Sequence, residues 1–304
     1  MKKIIVTVLL SLTAGAQAAD PLMNFDKLLF VKRQTYHSSH FYTDFIDGCG
    51  RYGGNLCVLD MKTKKVHDLI PEMKDGIFGR FDLHFDAKKV VFDWKKSAKE
   101  GFRIYEIGID PVKGVRTSKP VQLTFPPADE QARIKKYDNS FLGGTARMYY
   151  HQTDDMHPCY LPDGGFAFVS TRSQNYGRCH GSRYTPAYMV YRGELDGSGI
   201  RQLSFGEANE WEPSVLHDGR LIYTRWDYIN RHDVFYQGIW TMRPDGTGTA
   251  HYFGSYTRNP CMTSEVLAIP GSHQTVCTAM GHHSYTAGSV MLVNPRLGQD
   301  GAAP

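Results

Sequence analysis

Arg80, His157 and Glu212 occupy one place in three copies of a single pattern, each a fixed step ahead of the turn aspartates Asp86, Asp163 and Asp218. An arginine fork, an imidazole and a carboxylate at one register suit a polar ligand or a divalent metal such as zinc. Ser264 or Glu265 continues the series, and Asp154 and Asp155, just before His157, add carboxylate oxygens. A second set closes the following segments. Arg172 and Arg225 each end a Thr-Arg pair, and His282-His283 stand at the corresponding point further on. Arginine forks bind carboxylate or phosphate well, so this set can hold an anionic ligand; an arginine that closes a strand can equally bond a neighbouring element. His157, beside Pro158, fits a capping hydrogen bond as well as a ligand role. The His282-His283 pair in a Gly-flanked loop, together with Asp155, forms the candidate metal set. His37 and His40 have a spacing that chelates when the backbone turns. No Gly-x-Ser-x-Gly elbow, His-Glu-x-x-His run or phosphate-binding glycine loop occurs, so hydrolase chemistry of those kinds has no support.

The elements that carry these residues are strands. At 157–172 and again at 212–225 a proline precedes a short apolar run, an Asp-Gly turn and an alternating run that ends on Thr-Arg. Asp and Gly tolerate the positive φ of tight hairpin turns, so each copy reads as a hairpin. Another strand and a second Asp-Gly turn follow, at 189–199 and 238–248. Four strands per unit is the pattern of a propeller blade, and the fold class is therefore an all-β propeller of four-stranded blades.

About five blades are expected. Blade one takes strands at 28–33, 55–60 and 65–70, with a long polar and aromatic excursion between the first two. Blade two takes a hairpin over 81–94 and strands at 102–110 and 121–125. The pattern lapses at 126–150, which reads as an inserted loop with one helical turn. Blades three and four are the strong copies, and blade five takes 263–269, 275–280 and 289–294. A five-bladed ring falls within the usual range for such folds; a fourth strand is not evident in blade five, however, so the propeller reads first as incomplete, a part of a longer parent with exposed strand edges.

Residues 1–18 have a basic start, a short apolar run and Ala16-Gln17-Ala18, the pattern of a secretory signal peptide. Residues 19–304 then form the propeller domain, in the periplasm or secreted. No other apolar run is long enough for a membrane span. The formal net charge of +4 forms no basic stripe, which argues against nucleic acid as a partner. Six cysteines in an exported chain permit three disulfides, with Cys49–Cys57 and Cys261–Cys277 as the local pairs. Buried free thiols are the alternative.

The runs at 41–48, 53–60, 75–83, 137–144 and 151–164 resemble exported propeller proteins related to the middle domain of the hydrazine synthase alpha subunit, and the blades are similar to TolB-type repeats. In that family the propeller carries a c-type haem on a Cys-x-x-Cys-His motif, with a tyrosine iron ligand four residues beyond the histidine and a zinc nearby. The matching run here is Tyr176-Gly-Arg-Cys179-His180-Gly-Ser-Arg-Tyr184. Tyr176 replaces the first cysteine, so two thioether bonds cannot form and haem c attachment is not expected; Cys179, His180 and Tyr184 remain as a remnant of the site. The resemblance and the bland composition together lead to a module that binds other protein subunits or a polar small ligand at its channel mouth. The competing reading is a metal- or haem-dependent redox component of the hydrazine synthase type.

Overall fold

The computed structural model describes residues 25–34, 51–136, 152–173, 175–177, 185–206, 209–227, 237–254, 257, 259–282 and 288–298. The described residues are almost wholly β, arranged as five antiparallel blades around a central channel.

Blade one comprises β1 (Lys27–Arg33), β2 (Gly54–Asp60) and β3 (Val66–Asp68). Blade two has β4 (Ile77–Leu83), β5 (Lys89–Lys95), β6 (Arg103–Asp110), β7 (Val115–Arg116) and β8 (Val121–Gln122), the last two both pairing with β6. The expected helical turn is the helix α1 (Glu130–Lys136). In blade three, β9 (Asp155–Tyr160), β10 (Gly165–Ser170), β13 (Met189–Glu194) and β14 (Arg201–Gln202) form a four-stranded sheet. A small ribbon of β11 (Tyr176–Gly177) and β12 (Thr185–Pro186) interrupts it. Blade four is β15 (Asn209–Val215), β16 (Leu221–Trp226), β17 (Gln237–Met242) and β18 (Ala250–Phe253). Blade five has three described strands, β19 (Met262–Ala268), β20 (Thr275–Met280) and β21 (Ser289–Val293).

The turns form as the Asp-Gly pairs predict. Asp218 accepts the Arg220 N–H through its side chain at 3.1 Å, and Gly219 follows at φ 83°. That backbone angle is costly for any residue with a Cβ. Asp86, Asp196 and Asp245 make the same bond to the N–H two residues on, at 2.8–2.9 Å. Local side-chain bonds of this kind close the turn without help from the core.

Blades join face to face through one repeating contact. Each uses a residue of its second strand and one of its third, in matching register. In blade two these are Val91 and Ile104, packed on Tyr160, Phe166 and Phe168 of blade three. In blade three they are Ala167 and Val190, packed on Trp211, Leu221 and Tyr223 of blade four. In blade four they are Ile222 and Ile239, packed on Val266, Cys277 and Val293 of blade five. All six are fully buried. Close-packed aliphatic surface of this sort supplies most of the stability of the ring.

The cysteine pairing expected from sequence is not what the structure contains. Cys57, Cys159, Cys261 and Cys277 are free thiols, and Cys49 lies outside the described residues. Met262 pairs with Met280, which sets Cys277 three residues down its strand from the end where Cys261 sits. That offset is roughly 10 Å along a strand, beyond the Cα separation a disulfide can span. Cys277 instead packs in the blade four–five core, and Cys57 donates its thiol to Asp68 at 3.2 Å.

Candidate functional site

The inner strands β4, β9, β15 and β19 each carry a β-bulge at the same register. The bulged residues are Gly79-Arg80, His157-Pro158, Glu212-Pro213 and Glu265-Val266. Bulges re-aim side chains, and here each sends one polar side chain toward the channel. His157, Glu212 and Glu265 adopt φ of 52°, 57° and 55°. Such angles cost L-residues about 1 kcal/mol or more, so the surroundings must hold them.

What holds them is a relay from blade to blade. Asp93 on β5 accepts the Arg80 N–H at 2.9 Å and the His157 N–H at 2.7 Å. His157 Nδ1 accepts the Glu212 N–H at 3.3 Å, which places the ring proton on Nε2. Glu212 in turn accepts the Glu265 N–H and, at 2.7 Å, the Ser264 hydroxyl. The Arg80 guanidinium closes the ring, pairing with Glu212 and, at 2.8 Å, with Glu265. Gly79 is required beside it, because a Cβ there would meet the Asp93 carboxylate at 2.0 Å.

Burial and charge pull these groups in opposite directions. Burial pushes Asp93 up to about 6, against the two N–H bonds and Arg80. Asp82, which accepts the Tyr160 N–H at 2.9 Å, is also raised by burial to about 6. Glu212 is raised by burial, while the Arg80 guanidinium holds Glu265 below the usual carboxylate range. His157 is kept neutral, first by burial and then by the positive charges of Arg80 and Arg33. Displaced titrations gathered in a cavity are a mark of functional sites.

The cavity holds about 500 Å³. Its polar end is formed by Arg33, Arg80, His157, Glu212 and Glu265, and its apolar wall by Val31 of blade one with Leu267, Val276 and Val290 of blade five. The volume lies within the range of about 300–1,000 Å³ typical of ligand pockets.

Of the residues singled out by sequence, Arg80, His157, Glu212 and Glu265 therefore come together. The second set does not join them at the cavity lining. Arg172 grips Asp155 with two bonds of 2.8 and 2.6 Å and the Phe125 carbonyl at 2.6 Å, and Ser170 donates to the same carboxylate at 2.7 Å. Asp155 is thus fixed inside blade three. Arg225 pairs with Asp227 at 2.7 Å and lies over the Trp240 ring at 4.7 Å. His282 is buried against Trp226, with Nδ1 at 2.9 Å from the Gln237 amide. His283, Cys179, His180, Tyr184, His37 and His40 lie outside the described residues. Among the described residues, no three His, Cys, Asp or Glu side chains gather as a metal set.

Sequence reading missed Asp93 and Asp82, which lie inside the strands of the Asp86 hairpin and off the register counted back from its turn. A lone aspartate inside Val-Val-Phe-Asp-Trp was the available clue to Asp93. No helix among the described residues is long and apolar enough to cross a membrane.

No family model and no curated protein sequence matches the chain. Solved structures do match in fold. Hydrazine synthase of Kuenenia stuttgartiensis is similar with a TM-score of 0.64 at 13% identity, over 90% of this chain and 38% of that one. A TolB from Agrobacterium tumefaciens, described as putative, gives 0.54 at 12% identity, over 87% and 80% of the two chains. An oligogalacturonate lyase in complex with manganese gives 0.50 at 13% identity, over 88% and 61%. At these identities the likeness shows a TolB-like β-propeller fold and nothing finer.

Proposed function

We propose that this chain is an exported, periplasmic or secreted, β-propeller module that binds a polar small ligand or a segment of a partner protein at its channel mouth. The observation that carries this reading is the convergence of Arg80, His157, Glu212 and Glu265, from four blades, on one cavity of about 500 Å³. Three of the four are held at positive φ. Strain maintained at one register, at bulges whose residues line this cavity, supports a role beyond packing. The leader-like residues 1–18 support export.

Binding follows from the chemistry of the ring. Arg80 presents donors, Glu265 an ionised acceptor and His157 a neutral ring, so a ligand with both a donor and an acceptor is matched at once. Thermal shift with citrate, spermidine, galacturonate and acetyl-dialanine amide tests the reading. At least one should raise the melting temperature of the wild type and fail to raise that of Arg80→Gln. No shift with any of the four at millimolar concentration would count against it.

A further inference from the structure

Among the described residues, blade five lacks the covering that blades two, three and four receive. Its residues equivalent to Ile222 and Ile239 are Val276 and Val290, by the register Leu267↔Val276 and Thr278↔Val290. The corresponding residues of blades two, three and four are fully buried by the next blade, yet Val290 is 80% exposed. Leu267 and Leu292, in one cross-strand row with Val276, are 55% and 53% exposed. Among the described strands, no contact comparable to the other junctions joins blade five to blade one. Between them lies the apolar half of the cavity.

Among the described residues, the hydrogen-bond relay ends at the same place. The Asp93 side chain receives the bulge N–H of blade three, His157 that of blade four, and Glu212 that of blade five. Glu265 is next in the series. It is held by Arg80 and by the Thr278 hydroxyl at 2.9 Å, its side chain is 42% exposed, and among the described residues no backbone N–H of a following strand reaches it.

Both gaps have the shape of one missing object. In each closed junction the inner strand of the next blade lies over both strands that carry the residue pair and donates the N–H to the acceptor carboxylate or imidazole, and its neighbouring strands complete the cover. We infer that the cavity takes an extended aliphatic polypeptide segment of a partner protein. Its side chains lie on Val276, Val290 and Leu267, and one of its N–H groups is donated to Glu265. The inference rests on the channel reading above and names the class of ligand. The apolar rows select alternating aliphatic side chains, and a strand of four residues, roughly 13 Å long, spans both rows. The ionised carboxylate favours a donor and disfavours an anionic head group. Main-chain bonding with side-chain pockets on alternate residues is an established mode of peptide recognition.

The probe is a fluorescein-labelled peptide, acetyl-Lys-Val-Thr-Val-Val-Lys amide, titrated into the full chain and followed by fluorescence polarisation. Saturable binding is expected. Val290→Lys should weaken it roughly tenfold or more, as burying one valine implies, with an unchanged melting temperature showing that the variant folds. N-methylation of alternate peptide bonds should weaken it by a similar factor, because it removes the donors. Equal binding of the N-methylated peptide, or decylamine displacing the probe as well as unlabelled peptide does, would overturn the strand reading. If citrate, spermidine or galacturonate binds through Arg80 while the peptide does not, this inference falls and the channel reading stands. If nothing binds, both fall.

Discussion

The two faces of blade five differ in everything that packing controls. Toward blade four, Val266, Cys277 and Val293 are sealed against Ile222 and Ile239. Toward blade one, Val276, Val290 and Leu267 line an open cavity. The carboxylates follow the same division. Glu210 and Asp93, inside closed junctions, are pushed up by burial to about 7 and 6. Glu265, on the open side, is instead held down by Arg80. Among the described residues, one repeating architecture thus yields sealed joints and one unsealed joint. The unsealed joint is where the chain keeps an ionised acceptor beside aliphatic surface.

Substitutions of matched residues break this comparison most sharply. Ile239→Lys should abolish the cooperative melt, because it places an unpaired ammonium in a sealed junction at a cost of about 4 kcal/mol or more. The equivalent Val290→Lys should change stability by no more than about 0.5 kcal/mol. Equal damage at both sites, measured by urea unfolding, would mean that blade five is covered on both faces.

Arg172→Ala comes next. It takes two guanidinium bonds from Asp155, which has no exposed surface and is left with the Ser170 hydroxyl and Arg103 at 3.8 Å, and should cost about 3 kcal/mol. Arg80→Ala should cost about 2 kcal/mol, since Glu212 loses its guanidinium but keeps Ser264 and the Glu265 N–H. Beyond that smaller loss, Arg80→Ala should remove ligand-induced stabilisation, whereas Arg172→Ala should leave it measurable if the protein is folded.

A smaller effect sharpens the electrostatic half of the contrast. Glu210 accepts the Ser204 hydroxyl and, at 3.2 Å, the Val190 N–H, and its titration is raised in the folded chain. A raised folded value means that the contribution is fully present below the unfolded value near 4.3 and is lost as pH climbs through about 7. Asp93 and Asp82 add the same sign over roughly pH 4 to 6. The wild type should therefore melt at a higher temperature at pH 5.5 than at pH 8. Glu210→Gln should flatten that slope by about 2 kcal/mol or less in stability. A slope of opposite sign would place these carboxylates in a wetter interior.

Much of this was legible in the residues. The Asp-Gly turns fix the hairpins locally, so the strand limits and the equivalence of Arg80, His157 and Glu212 follow from counting back from each turn. The partners of those residues were not legible. Asp93 meets His157 across 64 positions of sequence, a contact set by ring curvature rather than by any local signal. Arg172 and Arg225 illustrate the reverse: their matched positions were plain, but only the fold shows that carboxylates beside them, Asp155 and Asp227, take up both forks. The cysteines misled because proximity in the chain was taken for proximity across strands, and register separates Cys261 from Cys277.

Methyl NMR of the full chain titrated with the aliphatic peptide tests the central claim most directly. The account predicts that shifts concentrate on Val31, Leu267, Val276 and Val290, with Val91, Ala167, Val190 and Ile222 unmoved. Shifts confined to the sealed junctions, or none at saturating peptide, would contradict it.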